Sequence, residues 1–346
     1  MEKAESSPRV LVVGVDWMGD AILSTPVLRA IRKAYSACYL AITTPHRLME
    51  IFESNPYVDR VISFEEGLFL PAIVRHLRFL VEIRRERFDT AVCLHRSGTR
   101  VFLTFLAGIS RRLGFANTKM RFLLTERTAA LQADEHRSQV YLDCLKPLGI
   151  ESSDLRADIV VRTQDRRMLA SLVRGTPLEE SPPYAVIHPG GNWELKRWPA
   201  GYFCEIVDYL SSKKMISVIC GTSDEISLAE SIRAGVKAGS ALSLCGKTSI
   251  GVLAALMEKS RVVLSNDSGP IHIAAGLGVP LVGLYGPTAA ALTGAKARGP
   301  HRLLEGRVGC RVPCYFEYCS ERACMEKIRP AEVVGALGSL GLDTAK

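Results

Sequence analysis

Short apolar runs alternate with longer amphipathic stretches along the chain. Runs rich in valine, isoleucine and leucine stand near residues 9–15, 38–43, 59–63, 89–94, 184–188, 215–220, 241–244, 261–265 and 280–284. Between them apolar residues return every three to four positions, as in Ile22, Leu23, Val27, Leu28 and Ile31. That is the spacing of a helix with one buried face. Strand and helix in regular alternation predict an α/β architecture of parallel sheets covered by helices. The stretch 151–183 breaks the rhythm with charged residues, then Gly175, Pro177, Pro182 and Pro183. It predicts a link between two Rossmann-like domains, 1–170 and 171–346.

Three strand ends carry polar turns. The first is Asp16-Trp17-Met18-Gly19-Asp20, with Pro26 early in the helix that follows. Gly19 permits a tight turn or a close backbone approach. Asp20 falls near the helix start at the carboxyl edge of the sheet, where open α/β sheets bind ligands; its simpler role is an N-cap. The second turn is His188-Pro189-Gly190-Gly191-Asn192, leading to Lys196-Arg197-Trp198-Pro199. Pro199 suits a first helical turn, and Lys196 reaches toward an anion at the sheet edge. The third is Ser265 to His272, where Asp267 or Ser268 caps a helix through Ala274 and Ala275. A helix start offers unpaired N–H groups and a positive dipole end, which suit a phosphate. Asp267, Ser268, Gly269 and His272 add groups that can hold sugar hydroxyls or a phosphate oxygen. The first turn lacks Gly-x-Gly-x-x-Gly, which argues against a nicotinamide-dependent dehydrogenase.

The length of 346 residues suits about two domains. No apolar run reaches the roughly 18 residues of a membrane-spanning helix. Met1 to Arg9 is charged and lacks the apolar core of a signal peptide, so a cytoplasmic protein is expected. Six of the ten cysteines (Cys38, Cys93, Cys144, Cys204, Cys220 and Cys245) are scattered singly through apolar segments. They read as buried, reduced thiols. The other four, Cys310, Cys314, Cys319 and Cys324, crowd a loop-like segment, 310–324, without any Cys-x2-Cys spacing. A reduced structural cluster, a structural zinc and disulfides are the three readings they leave.

Taken in order, these segments resemble the ADP-heptose:lipopolysaccharide heptosyltransferases, the inverting glycosyltransferases of family 9, over nearly the whole chain. The likeness rests on Gly19-Asp20 with Ser24-Thr25-Pro26, and on Leu94 to Arg100 with Arg112-Leu113-Gly114-Phe115. It rests equally on His188-Pro189-Gly190 with Lys196-Arg197-Trp198-Pro199, on Asn266-Asp267-Ser268-Gly269 with His272, and on Gly286-Pro287-Thr288. Trp17-Met18-Gly19-Asp20 is more similar to the second heptosyltransferase of the pathway than to the first. The resemblance implies a GT-B fold, with two Rossmann-like domains whose parallel sheets face a central cleft. It implies an ADP-heptose donor in the C-terminal domain and a Kdo–lipid A inner-core acceptor, heptosyl-Kdo-lipid A for the second enzyme, in the N-terminal one. It also implies Asp20 as general base, and Asp267 and His272 at the donor sugar and diphosphate. Two departures bear on donor or acceptor preference. Gly191-Asn192 replaces a small residue and Ser/Thr, and Val15-Asp16 stands where a basic or small polar residue is usual.

The chemistry asks for these residue types. An inverting transferase needs a base for the acceptor hydroxyl and positive groups for the leaving diphosphate. Metal-dependent relatives carry an Asp-x-Asp pair; this chain has none. Lys196 and the helix start after Asp267-Ser268-Gly269 supply the charge instead, beside His188, Gly190 and Asn192, so no cofactor is expected. Asp16 is a rival base in the same turn. The nucleotide is expected near Gly221 to Glu225 and near Thr248, with Glu225 either accepting from ribose hydroxyls or capping a helix. Residues 71–127 hold 12 lysines and arginines against 4 acidic residues, an excess equal to the whole chain's net charge of +8. Arginine pairs bidentately with carboxylates and phosphates, so Arg96, Arg100 and Arg121, with Gly19, are the acceptor candidates. The same patch suits an anionic inner-membrane surface. No recognition helix, zinc finger or RNP-type motif points to nucleic acid. A related transferase for another sugar and a nucleotide-binding protein without activity are the competing readings.

Overall fold

Two parallel six-stranded sheets organise the chain. The computed structural model describes residues 7–66, 70–129, 134–314, 316, 319 and 321–342. Most of the charged N-terminal stretch and several positions of the cysteine-rich segment lie outside the described residues. The first sheet contains β1 (Arg9–Val13), β2 (Tyr39–Thr44), β3 (Arg60–Ser63), β4 (Thr90–Cys93), β5 (Arg111–Phe115) and β6 (Glu126–Thr128). Their order is β3-β2-β1-β4-β5-β6. The second contains β7 (Tyr184–His188), β8 (Ile216–Ile219), β9 (Ala241–Ser243), β10 (Val262–Asn266), β11 (Leu281–Tyr285) and β12 (His301–Glu305). Their order is β12-β11-β10-β7-β8-β9. Numbered from its own first strand, each sheet has the doubly wound order 3-2-1-4-5-6. The order reverses between β1 and β4, where Val10 pairs Thr90, and between β7 and β10, where Ala185 pairs Val262. These are the two topological switch points.

The central strands are continuous apolar runs because helices cover both faces. Every residue of β7, β10 and β11 is buried. One core gathers Leu11, Val13, Ile62, Phe79 and Ile83; another gathers Trp198, Phe203, Leu264, Leu284 and Leu337. Full burial of one such side chain contributes about 1.5–3 kcal/mol. The sequence did not announce β5, β6 or β12. β5 begins Arg111-Arg112, β6 is Glu-Arg-Thr, and β12 is a sheet edge with a largely exposed His-Arg-Leu-Leu-Glu. Strands covered on fewer sides can be polar, and their periodicity fades.

The chain divides into two compact units, Met1–Asp158 and Ile159–Lys346. The division falls inside the stretch 151–183, ahead of Gly175 and the prolines. The cause is the helix Thr163–Leu172, which packs on the helix Ile250–Glu258 of the second unit. The helix expected to run on from Asp20 is broken in two, Met18–Leu23 and Thr25–Ala34. Pro26 has no N–H to return to the preceding turn, and the Ser24 and Thr25 hydroxyls donate to the carbonyls of Ala21 and Ile22 instead, each at 2.7 Å. No described helix is long and apolar enough to cross a membrane.

Candidate active site

At the first switch point a cavity of about 930 Å³ opens between the turns after β1 and β4. Asp16, Asp20, His95, Arg96, Lys119, Arg137 and Tyr141 line it. Its two aspartates differ. Asp16 Oδ1 accepts from Arg100 Nη2 at 2.5 Å, and its Oδ2 lies 3.2 Å from His95 Nε2. The backbone N–H of Ser97 donates to His95 Nδ1 at 3.0 Å, so the ring proton sits on Nε2 and points at Asp16. Burial pushes the Asp16 carboxyl up, but the His95 hydrogen bond and the Arg100 charge outweigh it and bring the pKa down to about 2. Asp16 is therefore a spent carboxylate and a weak base.

Asp20 is the third residue of Met18–Leu23, with about a third of its side chain exposed. The Tyr141 hydroxyl donates to its Oδ1 at 3.0 Å, and Arg137 Nε lies 3.5 Å from the same oxygen. Burial, then the Asp20 charge, raises the Tyr141 phenol well above its ordinary value, so it stays a donor. Gly19 takes helical conformation beside Asp20 rather than a tight turn.

Arg100 corrects the acceptor reading. It is buried, and besides Asp16 its guanidinium donates to Glu66 Oε1 at 2.8 Å and to the Gly14 carbonyl at 2.6 Å. It is an internal strut that fixes Asp16 against β1, not a free anion receptor. Arg96 is exposed on the cavity wall; Arg121 is exposed but lies outside the described lining.

At the second switch point the groups are buried and mutually engaged. Glu225 accepts from the backbone N–H of Gly191 at 2.7 Å and of Thr222 at 2.8 Å, with His188 Nε2 at 3.7 Å. Burial raises its carboxyl, yet the His188 interaction and these N–H donors lower it to about 2. A Cβ on Gly190 would overlap this carboxylate, and one on Gly221 would come within 2.5 Å of it. The two glycines are thus required by Glu225, which ties the turns after β7 and β8 together.

Asn266 is a second clamp, which the residue-by-residue reading passed over. Its Nδ2 donates to the carbonyls of Pro189 and Gly190 at 2.6 and 3.1 Å, and its Oδ1 accepts from Trp198 N at 3.3 Å. Trp198 is buried and donates from Nε1 to the Ile328 carbonyl at 2.8 Å. That anchor delivers Lys196, whose Nζ lies 2.8 Å from Asp267 Oδ2. Thr288 Oγ1 donates to the same oxygen at 2.7 Å. Of the two cap candidates, Ser268 takes the N-cap position and Asp267 is held by Lys196 and Thr288. The helix Gly269–Leu277 starts after Ser268, whose side chain makes no cap bond. His272 is buried within that helix, Asn192 is exposed, and Thr248 is half-buried after β9.

His95, Tyr141 and Arg137 join the site only through three-dimensional proximity. Asn266 and Thr288 had a local signal, since both belong to polar turns singled out in the sequence. The six scattered cysteines are buried and free, and burial raises the Cys93 and Cys144 thiols to about 12. Cys310 and Cys319 are exposed, while Cys314 and Cys324 are half-buried; all four are free. Among the described residues no group of three or more His, Cys, Asp or Glu side chains is gathered to hold a metal.

Comparison with known proteins adds four likenesses. The family model of glycosyltransferase family 9 (heptosyltransferase) matches residues 76–311. The lipooligosaccharide heptosyltransferase 2 of Haemophilus ducreyi is 25% identical over 304 residues, covering 82% of this chain and 85% of that protein. Among solved structures, a family 9 glycosyltransferase from Veillonella parvula superposes with a TM-score of 0.82 at 22% identity, covering 98% of both chains. The E. coli ADP-heptose lipopolysaccharide heptosyltransferase II superposes with a TM-score of 0.80 at 22% identity, covering 97% of this chain and 99% of that one.

Proposed function

The chain belongs to glycosyltransferase family 9, the heptosyltransferases, with the GT-B fold, and we propose that it transfers heptose from ADP-L-glycero-D-manno-heptose to the heptosyl-Kdo-lipid A inner core of lipopolysaccharide. Asp20 takes the proton of the acceptor hydroxyl as that oxygen attacks the anomeric carbon. The bond from that carbon to the diphosphate oxygen breaks in the same displacement, ADP leaves with the electron pair, and the configuration inverts. Lys196 and the N–H groups at the start of Gly269–Leu277 stabilise the charge that grows on the diphosphate. With Lys196 in that role and no Asp-x-Asp in the chain, the transfer proceeds without a metal. His188, Gly190, Asn192, Gly221, Glu225, Thr248, Asp267, Ser268 and His272 shape the donor side, and Arg96 with Gly19 the acceptor side. The acceptor is lipid-anchored, so the enzyme works at the cytoplasmic face of the membrane that carries it.

One observation carries this reading. Asp20 is a partly exposed carboxylate in a cavity walled by Arg96, Lys119 and Arg137, while neighbouring Asp16 is spent on Arg100 and His95. A base beside cations is what a phosphorylated, carboxylated sugar acceptor requires. The test is calorimetric titration with ADP, UDP, GDP and NAD in EDTA, followed by transfer assays on truncated lipopolysaccharide. ADP alone is expected to bind, and Lys196→Ala to weaken it. A preference for UDP or GDP removes the heptose donor. Absence of any nucleotide binding removes the catalytic reading.

A further inference from the structure

The helix Leu70–Arg85 buries one face and leaves the other apolar. Phe79 and Ile83 point inward, Phe79 stacking on Phe64 with centroids 4.1 Å apart. On the outer face Val74, Leu77 and Val81 are 49%, 56% and 47% exposed. Spaced by three and four residues, they form one stripe over two turns. Exposed Arg78 and Arg85 share that side of the helix. The acidic residues nearby cannot neutralise them: Arg60 holds both Glu82 and Glu86, and Arg9 also holds Glu86, at 2.8 Å. The helix Gly98–Leu106, in contact with it, also exposes Phe102, Phe105 and Leu106. Phe102 also lines the cavity that contains Asp20.

We propose that this face docks on an anionic phospholipid bilayer. Aliphatic side chains flanked by arginines match the interfacial zone, where the stripe enters the acyl boundary and the guanidinium groups pair with phosphates. The charge pattern selects a bilayer over a second copy, because a two-fold contact through this face would set arginines against arginines. The docking does not depend on the proposed lipid-anchored acceptor.

Co-sedimentation tests it with vesicles of phosphatidylethanolamine and phosphatidylglycerol, against phosphatidylcholine alone. Neither vesicle contains acceptor or donor, so failure here is separate from failure of the transferase reading. The protein is expected to partition onto the anionic vesicles and to be released by salt. Arg78→Gln with Arg85→Gln is expected to reduce partitioning by roughly tenfold or more, and Leu77→Ser with Val81→Ser to reduce it comparably. Melting temperature and ADP titration verify that both variants fold. Equal binding to both lipids, no binding to either, or variants that bind like the parent would overturn the proposal. So would a dimer that Leu77→Ser with Val81→Ser converts to monomer.

Discussion

The two switch points share one topology and use their charges in opposite ways. In the second sheet the acidic side chains are shut in: Glu225 is 8% and Asp267 5% exposed, each bound by two or more partners. In the first, Asp16 and Asp20 are both about a third exposed, and only Asp16 is held by a buried arginine. One site is a pre-set frame of turns and clamps, suited to a constant group such as a nucleoside diphosphate. The other keeps one carboxylate within reach of solvent, as a group that must take a proton requires. A shared strand order therefore places a site without deciding its chemistry.

The sharpest way to break this contrast is to remove the reachable carboxylate. Asp20→Asn is expected to lower kcat by about 10²–10⁴, or roughly 3–5 kcal/mol in barrier, with little change in ADP affinity. Asp16→Asn is expected to act differently, lowering the melting temperature because it removes one anionic partner of buried Arg100. Single-turnover rates and thermal melts on the two variants separate the cases. Near-parental turnover in Asp20→Asn would remove it as the base.

The frame can be probed through pH. The Glu225 carboxyl is lowered from 4.5 to about 2 in the fold. A depressed acid stabilises the folded protein above its unfolded value and loses that contribution as pH falls through its folded one. The contribution is on the order of 3 kcal/mol at neutral pH and fades between about pH 4.5 and 2. Glu225→Gln is expected to melt lower than the parent at neutral pH, with the gap closing in that acid window. A gap that stays constant with pH would show that the lost shape of the side chain, not its charge, sets the effect.

What the sequence disclosed follows from how local each signal is. Val10 to Val13 and Val262 to Leu264 are buried on both faces, so composition alone marked them. The turns after β1, β7 and β10 were legible through Gly, Pro and Asp. Arg100 was misread because its partners lie at Gly14, Asp16 and Glu66, and nothing in residues 96–104 distinguishes a buried strut from a surface cation. His95 and Tyr141 were missed for the same reason: each meets its aspartate across the fold, from a sequence distance of 79 and 121 residues. β12 was missed because an edge strand keeps its polar residues in water.

Tyr141→Phe is the mildest test, because it alters the reachable carboxylate without removing it. The phenol is buried and its hydroxyl donates to Asp20 Oδ1 at 3.0 Å. It acts through Asp20, so it is a positioning residue. A hydrogen bond to a charged group contributes about 1.5–3 kcal/mol to the state that makes it, and removal is partly offset by water or by Arg137. The expected loss in kcat is therefore several-fold, at unchanged donor KM. A purely structural tyrosine would not lower kcat at unchanged donor KM. Were kcat to keep its parental value while the melting temperature dropped, Tyr141 would be core packing, and the orientation of Asp20 would rest on Arg137.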